Sequence, residues 1–184
     1  PTDMTMACFD VSGAGPSGAT FSATDVAGTS FTAESLALGA WTITVDGYNG
    51  DGTWIMTGAA TTEIVTGENG VAVDVYPLTG DGTFESSVAW PVGMLDPANA
   101  AVVSVLSPAS GDPETLSFTV TDGLASGSQA IPAGYYLWSL QLEESGQLIY
   151  RGDPEAVRIV EGQTTVGAQI DLTSTLSRSP GDGE

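Results

Sequence analysis

The stretch Leu36–Gly52 reads "LALGAWTITVDGYNGDG". Trp41, Ile43 and Val45 point one way, and Thr42, Thr44 and Asp46 the other, which is the period of a half-buried strand. The glycine, asparagine and aspartate that follow are turn residues, because Asn-Gly and Asp-Gly supply the positive φ angles of tight hairpins. A second strand is therefore expected after Gly52, and the pair makes a hairpin.

The same unit returns later as "IPAGYYLWSLQLEESGQLIYRGDPEAVRIVEG". Gly39 and Gly134 open the two copies. Trp41, Ile43 and Val45 correspond to Tyr136, Trp138 and Leu140. The turns end at Gly52 and Gly146, Gly58 matches Gly152, and "EIVTG" and "RIVEG" close at Gly67 and Gly162. Gly39 to Gly67 and Gly134 to Gly162 both span 28 positions. A one-residue slip would invert every side chain, so matched phase over a whole hairpin specifies a repeat.

Further alternation appears at Val71, Val73 and Val75, at Phe84, Val88 and Trp90, at Leu116, Phe118 and Val120, and at Ile170 and Leu172. Turn clusters such as "GAGPSG", "TGDG" and "SPASGDP" separate these runs. Short strands divided in this way predict an all-β chain of two tandem Ig-like or prealbumin-like antiparallel β-sandwiches. The expected domains are residues 1–79 and 80–173, with a C-terminal tail over 174–184. "DPANAA" predicts one helical turn, with Asp96 as its cap and Pro97 in its first position. Trp41, Trp90, Tyr136 and Trp138 share phase with aliphatic residues and are expected in the core.

The chain has 184 residues, of which 41% are hydrophobic, enough to build a core. No apolar run is long enough to span a membrane. No charged-then-apolar leader precedes Pro1, which fits a mature or an intracellular chain. The 23 acidic residues face three arginines and no lysine, for a net charge of -20. Nucleic acid is a poor partner for such a surface, since phosphate binding needs cations. With no histidine, a Ser-His pair and a histidine metal site are excluded. Without lysine there is no Schiff base, no phosphate-loop lysine and no lysine isopeptide cross-link. The acids cluster in turns and define no carboxylate pair across a cleft, so the chain is not expected to be an enzyme.

"LALGAWTITVDGYN", followed by "IVTG", resembles the transthyretin-like, carboxypeptidase regulatory-like sandwich. The order of "FDVSGAGPSGATFSAT", the first hairpin, "GTFESSVAWP" and the second hairpin is similar to spirochaete-type bacterial surface lipoproteins. The resemblance covers most of residues 4–173. It implies a non-catalytic module for adhesion, spacing or assembly, and it carries over no catalytic residue.

Asp46, Asn49 and Asp51 offer oxygen ligands of the kind calcium takes. EF-hand spacing fails, because Gly52 as the sixth-position glycine puts Gly47 and Gly58 where carboxylates belong. Trp54 follows the turn and Tyr135 is out of phase with its strand, so both are expected at the surface, where they could carry a glycan or other small ligand. Arg151 and Arg158 stand beside Asp153 and Glu155, either as a clamp for a carboxylate or phosphate or as pairs with those local acids. Cys8 cannot form an internal disulfide. It is a small buried hydrophobe, a lipidation site or an intermolecular cross-link.

The expected function is that of a non-catalytic, extracellular or cell-surface structural protein acting through assembly or adhesion, such as a fibre or sheath subunit. Self-association would use the N-terminal strand Met4–Val11 or the C-terminal tail, paired to an open sheet edge of a neighbour. The other expectation is a glycan- or small-ligand-binding module.

Overall fold

A computed structural model describes residues 2–174. The chain is all-β. It divides into two compact units, Asp3–Leu78 and a C-terminal unit that begins at Thr79.

The N-terminal unit holds β1 (Cys8–Ala14), a 3-10 turn at Pro16–Gly18, β2 (Thr20–Ala27), β3 (Gly39–Tyr48), β4 (Trp54–Ile64) and the two-residue β5 (Tyr76–Pro77). These strands form one five-stranded sheet in the order β2-β1-β3-β4-β5. Phe9, Val11, Trp41 and Ile64 are buried on it. A second sheet, which a sandwich needs, is missing from this unit among the described residues. Val71, Val73 and Val75 keep their alternation, half-buried between exposed neighbours, but their segment pairs with no strand. Burial phase and ladder pairing are separate properties, and only the first is written in the alternation.

The C-terminal unit is a two-sheet sandwich. Its strands are β6 (Asp81–Ala89), β7 (Ala100–Pro108), β8 (Glu114–Leu116), β9 (Thr119–Thr121), β10 (Leu124–Pro132), β11 (Gly134–Glu144), β12 (Gln147–Arg151), β13 (Glu155–Ile159) and β14 (Thr164–Asp171). One sheet runs β14-β6-β10-β9. The other runs β12-β11-β7-β8, with β13 also paired to β11. Phe84 of the first sheet meets Trp138 of the second edge to face, with ring centroids 5.4 Å apart. Trp138 Nε1 donates to Ser104 Oγ at 2.8 Å, which satisfies the indole inside the core.

Two details depart from the sequence reading. The run Leu116–Val120 is not one strand, since β8 joins one sheet and β9 the other, with residues 117–118 crossing between them. The sandwich also contains one parallel pair, β14 beside β6. The turn at "DPANAA" is present: Asp96 Oδ1 accepts the Ala98 amide at 3.0 Å, and the Ala100 amide donates to the Asp96 carbonyl at 2.8 Å.

The repeated hairpins share their register. Gly39 pairs with Ile64 and Trp41 with Thr62; Gly134 pairs with Ile159 and Tyr136 with Val157. Trp41 Nε1 donates to the carbonyl of Ala37 at 2.9 Å, and the Tyr136 hydroxyl to that of Pro132 at 2.9 Å. Each aromatic thus ties its strand to the residue four positions back. The copies differ in the return strand. β4 runs unbroken, whereas Gly152, Asp153 and Pro154 split the second copy into β12 and β13. Proline cannot donate to the ladder, which ends pairing there.

Candidate functional site

The "NGDG" turn is built around Asn49. This side chain is 2% exposed. Its Oδ1 accepts the amides of Asp51 (3.0 Å) and Thr53 (2.9 Å), and its Nδ2 donates to the Asp3 carbonyl at 3.0 Å. Gly52, at φ 75°, takes the left-handed conformation that the turn needs, and Gly146 does so at φ 78° in the second copy. Asn49 therefore spends its oxygen on the backbone. Asp51 is exposed, and Asp46 Oδ1 accepts the Thr57 hydroxyl across the β3–β4 ladder at 2.7 Å. Among the described residues no group of three or more acidic, cysteine or histidine side chains is arranged to hold a metal ion.

What Asp46 does meet is another acid. The register of β1 on β3 sets Asp10 directly opposite Asp46. The Asp25 amide, at a bulge in β2, donates to Asp10 Oδ1 at 3.0 Å. Cys8 stands at the end of this row, its thiol 3.8 Å from Asp25 Oδ1. Burial first, and then the charges of Asp25 and Asp10, push its pKa up. That makes it a poor nucleophile at neutral pH. Like charges directly opposite in a ladder destabilise it. Asp10→Asn keeps the oxygen that accepts the Asp25 amide and removes the repulsion. It is expected to raise stability in urea by up to about 1 kcal/mol, with a gain that shrinks as salt rises. A loss of stability at low salt would contradict this reading of the row.

Trp54 is 39% exposed and donates Nε1 to the Met56 carbonyl at 2.8 Å. Tyr135 is 58% exposed. Both are surface residues, Trp54 in the N-terminal unit and Tyr135 in the C-terminal one. Arg151 is exposed on β12. Arg158 is buried, opposite Tyr135 in the β11–β13 ladder. Glu155 does not turn to either arginine; its Oε2 accepts the Ala168 amide at 3.3 Å.

One feature of the N-terminal unit escaped the sequence reading. One face of its sheet looks onto a cleft of about 460 Å³. Phe9, Val11, Phe21, Ile43 and Val45 line it from the sheet, and Phe31, Leu36, Val71, Val73 and Val75 from the segments 28–38 and 65–75. Thr29, Ser30, Thr32 and Asn69 add polar groups, and among the described residues no charged side chain lines it, in a chain of net charge -20. The two covering segments form no strand before Tyr76 and make no backbone–backbone hydrogen bond among the described residues. At Gly58 the second segment crosses so close that a Cβ would collide with the Asp74 carbonyl. The valine alternation was the available signal, together with the want of a second strand run to pair with it.

No family model matches the chain, and no curated protein matches it. The chain is similar to several solved structures, three of which follow. The fimbrial anchor protein Mfa2 from Porphyromonas gingivalis is 15% identical with a TM-score of 0.33, over 80% of this chain and 74% of that one. A candidate cell-adhesion protein from Bacteroides fragilis is 9% identical with a TM-score of 0.32, over 90% and 81%. A candidate adhesin from Bacteroides ovatus is 8% identical with a TM-score of 0.31, over 96% and 90%. These are distant likenesses.

Proposed function

We propose that this is a non-catalytic structural or adhesion protein of the cell surface that acts by assembly, and that its N-terminal unit accepts a β-strand from another copy. Each unit is taken as a domain. The observation that carries the reading is the half-built sandwich: one complete sheet faces two irregular segments whose backbone groups lack backbone partners among the described residues, around a cleft lined by apolar and uncharged polar side chains. Backbone N–H and C=O groups are obligatory hydrogen-bonding groups. An added strand would pair with them while its alternate side chains fill the cleft, which is the physics of strand addition.

Of the two donors the sequence suggested, the N-terminal segment fits less well. β1 lies inside its own sheet, between β2 and β3, with Phe9 and Val11 buried. Giving away Met4–Val11 would take Cys8–Val11 out of an inner strand, so this segment is a poor donor. The other expected donor, the C-terminal tail, lies outside the described residues from 175 onward.

Sedimentation velocity over a range of concentrations, followed by electron microscopy, tests the proposal. Growing oligomers or fibres are expected, and Val73→Lys, which puts a charge into the cleft, is expected to suppress them. A single species of monomer mass at every concentration would overturn the reading.

A further inference from the structure

Arg158 is an anomaly for a chain so rich in carboxylates. It is 6% exposed, its guanidinium carbon lies 4.7 Å from the centroid of the Tyr135 ring, and its buried Nε has no hydrogen-bond partner among the described residues. Stacking on an aromatic face stabilises the cation but does not satisfy the N–H. Glu114 and Asp81 lie near enough to raise the Tyr136 phenol pKa, after burial as the main cause, while Arg158 lowers it. These acids share the surroundings of Tyr136 with Arg158, yet neither hydrogen-bonds to its Nε. A buried N–H without an acceptor is costly, and a guanidinium is normally met by a hydrogen-bonded anion.

We propose that Arg158 and Tyr135 form a binding site for a carboxylate-bearing ligand, of the acidic-sugar type. The carboxylate accepts from the guanidinium, which presents a planar fork of donors to a two-oxygen anion. The ligand body rests on the exposed part of Tyr135. A singly charged carboxylate suits the site better than a dianionic phosphate, because Glu114, Asp81 and the net charge of the chain oppose a second negative charge. The register creates the site: pairing Gly134 with Ile159 sets Tyr135 against Arg158.

With three arginines in the chain, the Nε–H resonances are few enough to follow singly by ¹H–¹⁵N NMR. The probes are D-glucuronate, D-glucose and inorganic phosphate, added to the full chain. One arginine resonance, absent in Arg158→Gln, is expected to move saturably with D-glucuronate and to stay in place with D-glucose. Tyr135→Ala, an exposed change that spares the core, is expected to weaken binding at least tenfold. If Arg158→Gln does not fold, Arg151→Gln identifies its own resonance, and Tyr135→Ala, which removes the overlying ring, shifts that of Arg158. No movement with D-glucuronate, equal movement with phosphate, or unchanged affinity in Tyr135→Ala would each overturn the proposal.

Discussion

Trp138→Ala is expected to destabilise the C-terminal unit by about 3–5 kcal/mol, the largest effect of any single change considered. The indole is buried between the two sheets, touches Phe84 edge to face and donates to Ser104 Oγ. Its removal loses apolar burial, leaves a cavity and strands the hydroxyl. Ser104→Ala separates the last of these contributions. The indole N–H would then be left buried without a partner, and a loss of about 1–3 kcal/mol is expected. Urea unfolding of the two variants checks both values. A loss below about 1 kcal/mol in Trp138→Ala would mean that the sandwich does not depend on the contact between its sheets.

Asn49→Ala is expected to cost about 1–2 kcal/mol, because two backbone amides and one carbonyl lose the partner that a buried side chain gives them. Asp51→Ala, two residues on and exposed, is expected to stay within about 0.5 kcal/mol of the parent. The contrast separates a turn from a cation site. A turn organised by Asn49 predicts unequal losses that calcium leaves unchanged. A calcium site would need both residues and would show stabilisation by calcium that either change abolishes. Thermal unfolding with calcium and with a chelator gives the answer.

The hairpins were legible because their information is local. Alternation fixes the buried face, Gly52 and Gly146 fix the turns, and the equal spans from Gly39 to Gly67 and from Gly134 to Gly162 fix the register. What was not legible depends on partners distant in the chain. Asp10 and Asp46 sit in separate acid-bearing stretches, and only the pairing of β1 with β3 brings them face to face. The valines at 71, 73 and 75 announce a buried face, but nothing in them says that no strand lies alongside. Arg158 is an intermediate case. Its neighbours in sequence are acids, which suggests ion pairing, whereas the hairpin register, already readable from the repeat, sets it against Tyr135.

A half-built sandwich also explains why the two copies of the hairpin lead to different architectures. In the C-terminal unit the repeated hairpin belongs to a sheet that faces a second sheet, and Phe84 and Trp138 close the core between them. In the N-terminal unit the equivalent hairpin faces unpaired segments and an open cleft. The apolar area left beside Phe21, Ile43 and Val45 favours association, because covering it removes hydrocarbon from water.

Amide hydrogen exchange of segments 28–38 and 65–75, followed from dilute to concentrated protein, tests strand acceptance most directly. Unpaired amides exchange fast, and ladder hydrogen bonds slow them. The account predicts fast exchange in both segments in dilute monomer and strong protection of both on assembly, with Val73→Lys abolishing that protection. Assemblies in which both segments still exchange as fast as in the monomer would contradict it.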